Sequence, residues 1–336
     1  APLNTLDSHV TTVEQFYVRN HFQNVPCLDK GSWRLKVHGM VDRALDLSFV
    51  DILAFKKKEL VVTLECAGNS RAYSSPPAEG VPFGHGAVST ARWEGISLVD
   101  LLERAGISEA ALEVIFRGDD IGEEEEDGEI YSTHLPYSRS LPLSVCIHPD
   151  TLLAYNMNGV PLTRNHGFPL RLVVPRWYGM ASVKWLTDIK VVDNHYDGFF
   201  QKNRYVFINE GVENAQDRVA VTTLKVKSII TSPRHGEIVR LGPFTIRGFA
   251  WSGEHALSKV EVSTDGGQSW QEAELLGKLD PNSWRQWHST YCASRSQRAK
   301  EARQSPSLGC PTLPGFTKYL WCPIATFAEA RGTMRS

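Results

Sequence analysis

Residues 60–69 read LVVTLECAGN, an apolar run that passes directly into a glycine-containing loop. Residues 60–64 are all aliphatic or β-branched, which is typical of a short strand buried on both faces. Cys66 comes two positions after this strand, and Gly68 and Asn69 tolerate left-handed backbone and therefore favour a turn. The stretch predicts a thiol at the junction between a buried strand and a loop.

A thiol in this position has two interpretations. A thiolate is a soft ligand, and at a strand-to-loop junction it can bind a metal that is reached from one side. A free cysteine is also among the most frequently buried small hydrophobic residues. No C-x-x-C pair occurs, which argues against a structural zinc site, and the large apolar content argues against a disulfide framework. The other cysteines are Cys27, Cys146, Cys292, Cys310 and Cys322.

Hydrophobic periodicity on either side of this stretch predicts a mixture of helices and strands. Helical spacing predicts a helix from Leu98 to Ala105 that stops at Gly106. Because no regular alternation of strand and helix runs through the first domain, residues 1–225, its predicted class is α+β. Neither a G-x-G-x-x-G nor a G-x-x-x-x-G-K-[ST] motif occurs, which excludes dinucleotide-binding and P-loop proteins. Strands are predicted at 33–38, 45–49, 60–64, 112–117, 152–157, 170–175 and 183–192.

An acidic run, Glu123–Asp127, lies between Gly122 and Gly128. Consecutive carboxylates repel one another and are best solvated, so the run predicts the exposed tip of a hairpin. Calcium binding is the alternative interpretation of the same carboxylates.

Several basic side chains stand among aromatic and β-branched residues. Burying such groups without partners is costly, so their context indicates that they bind something. Taken singly, each is an ordinary salt-bridge partner. As a cluster they favour an anionic ligand, either a phosphate or an oxyanion held by arginine. They are Arg19 and His21 in FYVRNH, His166 and Arg171 in HGFPLR, and Lys184 in SVKWL.

The character of the sequence changes near residue 225. Short apolar alternations follow at close spacing, with a hairpin turn at Asp265-Gly266-Gly267, so residues 226–291 predict an immunoglobulin-like β-sandwich. Residues 292–336 carry seven Lys/Arg against two Glu and no Asp, without sustained alternation, which predicts an aberrant or disordered tail. Because that tail offers no evident strands, the sandwich is predicted to be incomplete. The apolar positions expected to lack cover are Phe244, Ile246, Phe249, Val260 and Val262.

Length and composition limit the class of protein. A chain of 336 residues exceeds one ordinary core, so two domains are expected. The formal net charge of −2 gives no signal for nucleic acid as a partner. No run of about eighteen apolar residues occurs, so no membrane span is predicted. The sequence opens APLNT without methionine, which predicts a periplasmic protein if a leader has been removed and a cytoplasmic one otherwise.

Five segments, in this order, resemble the sulfite oxidase family. Any one of them would be a weak signal, whereas all five in order are specific. The likeness extends over about residues 10–290, and it implies a sulfite-oxidase-type molybdopterin domain followed by the dimerisation domain of the family. The segments are FYVRNH (16–21), ECAGNSR (65–71), LAYNMNG (153–159), HGFPLR (166–171) and SVKWL (182–186).

This resemblance implies a molybdenum cofactor with one molybdopterin dithiolene, and the oxidation of sulfite to sulfate by oxygen-atom transfer at a cysteine-ligated molybdenum-oxo centre. By position, Cys66 resembles the metal ligand. Arg19, Arg71 and Tyr205 resemble the residues that face the substrate oxyanion. The residues that resemble cofactor contacts are Tyr17, Val18, Arg19, Asn20, His21, Asp120, His166, Arg171, Ser182, Val183 and Lys184.

The resemblance also implies partners and leaves alternatives open. No haem or flavin is expected in this chain, so an external electron acceptor is implied, such as a c-type cytochrome or oxygen, and a homodimer is expected. Phe83 stands where much of the family has a pocket tryptophan, and nothing after Tyr291 matches the closing pattern of the family, which supplies a further arginine. The alternatives are a nitrate or S-oxide reductase, another sulfur-compound dehydrogenase, and an inactive binding or scaffold protein.

Overall fold

A computed structural model describes residues 3–74, 80–126, 128–207, 218–234, 237–240, 242–293, 318–320 and 325–331. The chain divides into two compact units, one containing Val10–Thr223 and the other Leu224–Ser336 with Pro2–His9. The regular structure among the described residues is mostly strands with few helices, so the helical share implied by an α+β first domain is smaller than predicted. None of the helices in these ranges is long and apolar enough to cross a membrane.

The first unit contains two five-stranded sheets. One has the order β2-β1-β10-β5-β6, with β1 and β10 parallel and the other neighbours antiparallel. The second is antiparallel with the order β3-β4-β7-β8, and β9 also pairs with β7. A short pair, β11-β12, completes the unit. In chain order the strands are β1 Arg34–Gly39, β2 Leu45–Ser48, β3 Lys57–Glu65, β4 Val88–Ser97, β5 Glu113–Glu126, β6 Glu129–Pro142, β7 Leu152–Met157, β8 Val160–Pro161, β9 Arg171–Val173, β10 Leu186–Val192, β11 Val206–Phe207 and β12 Val219–Ala220.

Three short α-helices lie among the described residues of this unit. They are α1 Phe49–Leu53, α2 Leu98–Ala105 and α3 Leu143–Cys146. A capping box between Ser48 and Asp51 begins α1, because each side chain binds the backbone N–H of the other residue. Helix α2 ends where Gly106 adopts φ 70°, which confirms the predicted helix and its stop.

The sheet that carries β3 is buried on both faces. On β7, Leu152 and Ala154 belong to one apolar cluster, which also contains Leu64 of β3. The alternate residues Leu153 and Tyr155 belong to the other cluster. On β3 the successive residues Val62, Thr63 and Leu64 are buried, which explains why the end of LVVTL shows no polar alternation, while Leu60 and Val61 are half-buried. This burial also holds the end of β3 firmly at the point where the loop with the thiol begins.

The acidic run lies at the end of a long hairpin, as predicted. Strands β5 and β6 each have 14 residues and turn near Gly128, so β5 extends well beyond the predicted strand 112–117. The expectation of a fully solvated run is wrong for Glu124, and Glu126 is half-buried. Glu124 is only 8% exposed because its carboxylate receives a hydrogen bond from Arg204 and also contacts His21.

Apart from the helical turn Leu3–Thr5, the regular structure described in the second unit consists of strands. One sheet has the order β13-β15-β19-β18, a second β17-β16-β21, and β14 pairs with β20. An immunoglobulin-like arrangement of these strands stays a prediction. The strands are β13 Lys227–Ser232, β14 Ile238–Arg240, β15 Gly242–Trp251, β16 Ala256–Ser263, β17 Gln271–Glu272, β18 Glu274–Leu275, β19 Arg285–Ala293, β20 Lys318–Leu320 and β21 Ala325–Arg331.

Four of the five apolar positions expected to lack cover are buried, and Phe244 is half-buried. Ile246, Val260 and Val262 are at most 2% exposed and form a cluster with Trp287. That expectation is wrong because β18 and β19 supply the missing cover, and the backbone of β21 extends the second sheet by pairing with β16. The rest of the predicted tail, 294–317, 321–324 and 332–336, lies outside the described residues.

Residues before Val10 contribute to the second unit, which the sequence did not indicate. The amide of Gln286 donates to the carbonyl of Asp7 at 3.1 Å, and the indole N–H of Trp284 donates to the carbonyl of His9 at 2.8 Å. The predicted first domain therefore begins too early.

Candidate functional site

A cavity that opens to solvent lies in the first unit beside the end of β3. Its wall combines the segment after residue 15, the loop after β3 and the loops that flank β9. It brings together most of the residues assigned from the sequence. These are Tyr17, Val18, Arg19, His21, Cys66, Asp120, His166, Arg171, Ser182, Val183, Lys184 and Tyr205.

Two assigned residues lie outside the cavity wall. Asn20 stands behind it, where its side-chain oxygen accepts a hydrogen bond from Lys184. Arg71 is half-buried, and its guanidinium donates to the carbonyl of Val81 at 3.3 Å. A direct contact between Arg71 and a substrate therefore stays a prediction.

The thiol of Cys66 lies in a tight turn that follows β3. The backbone N–H of Gly68 donates to Sγ at 3.4 Å, and the N–H of Asn69 donates to the Cys66 carbonyl at 2.9 Å. The left-handed residue of this turn is Ser70, at φ 72°, rather than Gly68 or Asn69. Burial raises the pKa of the Cys66 thiol, while the Gly68 N–H and the charges of Arg19 and Arg71 oppose that rise. A cation beside the sulfur would stabilise the thiolate.

Arg171 places a buried cation in the wall. It is 4% exposed, and it donates to the carbonyls of His166 and Ser182, each at 3.1 Å. Its guanidinium lies 4.9 Å from the ring centroid of Trp93. Burial lowers the pKa of Arg171 to about 10, and burial together with the Arg171 charge lowers the pKa of His166 to about 4. His166 is therefore neutral, and Arg171 carries the positive charge.

Lys184 is the second cation of the wall. Its Nζ donates to the carbonyl of Arg19 at 3.2 Å, to the carbonyl of Asn165 at 2.9 Å and to the side chain of Asn20. It lies 4.3 Å from the ring centroid of Trp185. Burial lowers the pKa of Lys184 to about 7. A bound anion would favour its charged form.

Asp120 presents an unused polar atom. The residue is 4% exposed, and its Oδ1 has no hydrogen-bond partner among the described residues. Burial raises the pKa of this carboxyl to about 7. Because buried polar atoms are almost always paired, Oδ1 is suited to a ligand that carries N–H or O–H groups.

The side chains of Ser182 and Val183 are engaged within the fold, Val183 in the apolar core. The hydroxyl of Ser182 accepts a hydrogen bond from the N–H of Val174 at 3.0 Å, and its carbonyl binds Arg171. The side chain of Ser182 is therefore already used within the fold.

Arg19 and Tyr205 face the cavity from other elements. Arg19 is exposed, and its guanidinium lies 6.0 Å from the ring centroid of Phe83. Tyr205 follows the helical turn Phe200–Arg204, and its hydroxyl lies 3.0 Å from Nδ1 of His21. The wall thus combines a thiol, several cations and a phenol.

Other wall residues were missed in the sequence. Several are neighbours of motif residues and could have been included on that ground. Gly179 gives no such signal, because only the structure shows that a side chain there would collide with the hydroxyl of Tyr17. The missed residues are Phe16, Leu64, Ala67, Tyr137, Asn165, Gly179, Met180 and Trp185.

Two family descriptions match the chain. Residues 21–200 match the "Oxidoreductase molybdopterin binding domain", and residues 218–302 match the "Mo-co oxidoreductase dimerisation domain". These matches define the class as a molybdopterin-dependent oxidoreductase fold with a dimerisation domain.

Individual relatives narrow the class. The chain is 38% identical to the sulfite oxidase of Gallus gallus over 296 residues, covering 84% of this chain and 63% of that protein. It is 35% identical to a nitrate reductase [NAD(P)H] of Hordeum vulgare over 299 residues, covering 82% of this chain and 33% of the relative. The chain belongs to the sulfite oxidase family.

A solved structure resembles the fold. The sulfane dehydrogenase SoxCD from Paracoccus pantotrophus superposes with a TM-score of 0.74 at 28% identity, covering 87% of this chain and 71% of that one. The chain spans 63% of the Gallus gallus sulfite oxidase and 53% of the Homo sapiens mitochondrial enzyme.

The residues that line the cavity have the chemistry needed to bind a molybdenum cofactor. Cys66 supplies the soft sulfur ligand that such a metal accepts, and the loop leaves it facing the cavity. Arg171 and Lys184 supply positive charge for a phosphate group. Asp120 Oδ1 offers an unpaired acceptor to the N–H groups of a pterin ring. The residues present therefore match the group that the family implies.

Proposed function

We propose that this chain is a molybdenum-cofactor oxidoreductase that oxidises sulfite to sulfate. The observation that carries the proposal is that the Cys66 thiol, the buried cations and the exposed Arg19 share one cavity. The 38% identity to a sulfite oxidase supports the choice of substrate. The bound cofactor supplies oxygen-atom transfer and accepts two electrons.

The residues on one side of the cavity hold the cofactor. Cys66 provides the protein's sulfur ligand to the metal. Arg171 and Lys184 bind the phosphate of the pterin, and Asp120 binds its ring N–H groups. Because Arg171 is held by two carbonyls, it stays charged and fixed in direction. Tyr17, Val18, Asn20, His21, His166, Ser182 and Val183 complete the cofactor-binding set.

The residues on the open side bind the substrate. Arg19 is exposed, so it meets a dissolved oxyanion without a large desolvation cost, and it offers a fork of donors to sulfite oxygens. Arg71 adds positive potential from behind the loop that carries Cys66. Tyr205 orients the substrate or a water molecule through its hydroxyl.

The electrons then leave to an external acceptor, such as a c-type cytochrome or oxygen. The match of residues 218–302 to a dimerisation domain supports a homodimer. Sedimentation equilibrium of the purified protein tests this association separately from the chemistry.

Two other reactions within the family have specific support. The nitrate reductase relative favours nitrate reduction, and the likeness to sulfane dehydrogenase favours oxidation of another sulfur compound. Both would use the same cofactor and the same cations. Sulfite remains the first choice because the identity to sulfite oxidase is higher and covers as much of the chain.

The test measures both the cofactor content of the protein and its catalytic activity. Molybdenum and pterin content are measured on the purified protein, and sulfite-dependent reduction of cytochrome c or ferricyanide is followed alongside nitrate reduction with a viologen donor. We expect bound cofactor and sulfite oxidation. A loaded protein that reduces nitrate and leaves sulfite unchanged would contradict the assignment, and a protein that never binds cofactor would favour a binding or scaffold role.

Cys66→Ser provides the matching variant. A hydroxyl is a harder ligand than a thiolate, so turnover should be lost while the thermal unfolding profile is retained. Cys27→Ser is the control, because Cys27 is exposed and outside the cavity wall. Substantial sulfite oxidation by Cys66→Ser would show that the sulfur is not the ligand.

A further inference from the structure

One carboxylate of the acidic hairpin is buried against a residue of the cavity wall. Glu124 is 8% exposed, and its Oε2 accepts a hydrogen bond from Nε of Arg204 at 2.8 Å, while its Oε1 contacts Nε2 of His21. The side chains of Glu123 and Glu125 are exposed. Glu124 therefore differs from its two exposed neighbours in the run.

The hairpin also holds the residues that precede Tyr205. Arg204 donates to the carbonyl of Glu125, and the amide of Asn203 donates to the carboxylate of Glu126. These contacts tie the end of β5 to the turn that ends at Tyr205. The position of the phenol thus depends on the acidic run.

The ring of His21 links the carboxylate to the phenol. Its Nδ1 lies 3.0 Å from the Tyr205 hydroxyl. Its ring lies 5.7 Å from that of Tyr137 in a stacked arrangement and 4.6 Å from that of Phe200 edge-on. Both His21 and Tyr205 line the cavity. The imidazole is therefore held by packing as well as by two polar contacts.

The carboxylate decides which nitrogen of His21 carries the hydrogen. An ionised carboxylate only accepts hydrogen bonds, so Nε2 must be the donor towards Glu124. In a neutral ring Nδ1 is then an acceptor, and the Tyr205 hydroxyl is the donor within its reach. The hydroxyl of Tyr137 also contacts that of Tyr205, but it donates its own hydrogen to the carbonyl of Met180 at 2.8 Å. Burial lowers the pKa of His21, assisted by Arg19 and Arg204 and opposed by Glu124, which favours the neutral ring.

We propose that Glu124 is a positioning residue that sets the tautomer of His21 and thereby commits the hydroxyl hydrogen of Tyr205 to Nδ1 of that ring. The oxygen of Tyr205 then presents only lone pairs to the cavity. It accepts a hydrogen bond from water or from a protonated substrate oxygen, and it does not donate one to sulfite. This step rests on the proposed function, because that function places substrate and water beside Tyr205.

The tautomer of His21 can be determined by NMR spectroscopy, independently of catalytic activity. In ¹⁵N-histidine-labelled, molybdenum-loaded protein, the two ring nitrogens of His21 have distinct shifts in each tautomer, and His21→Ala identifies the resonances. We expect the Nε2–H form in the unsubstituted protein. In Glu124→Gln, whose amide both donates and accepts, we expect a shift towards the Nδ1–H form, while Glu123→Gln leaves the spectrum unchanged.

Steady-state kinetics give the second readout. Loss of a charge-assisted, buried hydrogen bond predicts a roughly tenfold to hundredfold lower kcat for sulfite in Glu124→Gln. The KM for sulfite and the molybdenum content should stay unchanged, because Arg19 and the cofactor-binding residues are intact. Glu123→Gln should match the unsubstituted protein in every measurement.

The outcomes separate this inference from the proposed function. An Nδ1–H form in the unsubstituted protein, or a Glu124→Gln variant that matches Glu123→Gln in spectrum and kcat, would overturn the role of Glu124. Absence of sulfite oxidation in the unsubstituted protein would instead contradict the proposed function. The ¹⁵N spectrum would still test whether Glu124 sets the tautomer of His21. If Glu124→Gln does not fold, Glu124→Asp keeps the charge and is measured in the same way.

Discussion

Gly179→Ala should destabilise the first unit through one identifiable collision. A methyl group at this position would lie 2.6 Å from the hydroxyl oxygen of Tyr17 and 3.2 Å from the carbonyl oxygen of Glu65. The carbonyl belongs to β3, which is fixed in a sheet buried on both faces. The Tyr17 ring stacks on Phe16 at 5.4 Å, and its backbone N–H donates to Ser89. Neither neighbour can withdraw without breaking other contacts.

The expected cost is that of overpacking. Inserting a methyl group into a filled space costs about 1–3 kcal/mol. For a unit of this size, that corresponds to a fall in Tm of about 2–12 °C. Differential scanning calorimetry of the purified protein measures it. Gly84→Ala is the matched control, because a methyl group there would meet only the Tyr73 hydroxyl at 3.8 Å, an ordinary van der Waals distance.

A double-mutant cycle with Tyr17→Phe isolates the cause. Removing the phenolic oxygen removes the nearest atom that the new methyl group meets, so Tyr17→Phe should recover part of the loss in Gly179→Ala. The interaction free energy between the two substitutions should be about 0.5–3 kcal/mol. Strictly additive effects, or a Gly179→Ala variant as stable as Gly84→Ala, would refute the close approach of Gly179 to Tyr17.

Three further predictions concern charge and the end of the chain. Arg19→Gln should raise the KM for sulfite roughly tenfold to a hundredfold and leave the molybdenum content intact. Arg171→Met should instead lower the cofactor content. If both variants showed the same phenotype, the division between substrate-binding and cofactor-binding residues would be wrong. Burial raises the pKa of Asp120 from its ordinary 3.8 to about 7. In cofactor-free protein, the protonated carboxyl therefore adds to the free energy of unfolding. This contribution is fully present below pH 3.8 and is lost as the pH rises through about 7. The Tm of unsubstituted protein relative to Asp120→Asn should therefore fall across that interval, and a constant difference would show that the carboxyl is not buried. Limited proteolysis with mass spectrometry should cut first within residues 292–336, and early cuts inside the first unit would contradict the predicted tail.

The sequence predicts best where a local pattern has a local cause. The helix Leu98–Ala105 ends at its glycine because left-handed backbone is needed within one residue of the helix end. The buried strand before Cys66 is recognised because five consecutive apolar or β-branched residues need cover on both sides. Most assigned site residues share one cavity because the loops that carry them converge at the end of β3.

Features that depend on distant partners escaped prediction. Glu124 was assigned to solvent with its neighbours, because its partners His21 and Arg204 are 103 and 80 positions away. The pairing of β1 with β10 is parallel and joins strands that the sequence separates by most of the first unit. No local sequence pattern predicts such pairings, because they depend on which strands come together when the whole chain folds.

The same distinction separates two kinds of residue around the cavity. The side chains proposed to meet a ligand, such as Cys66 and Arg171, stand in short motifs because several ligand contacts must come from one rigid loop. Side chains that hold those residues in place need only reach them, so they can come from any element that packs nearby. Glu124 is of the second kind: it lies in a run of carboxylates whose composition indicates an exposed turn, and only the fold brings it to His21. A positioning role at such a place can be found only by accounting for every buried charge, because a carboxylate withdrawn from water must have a partner that stabilises it.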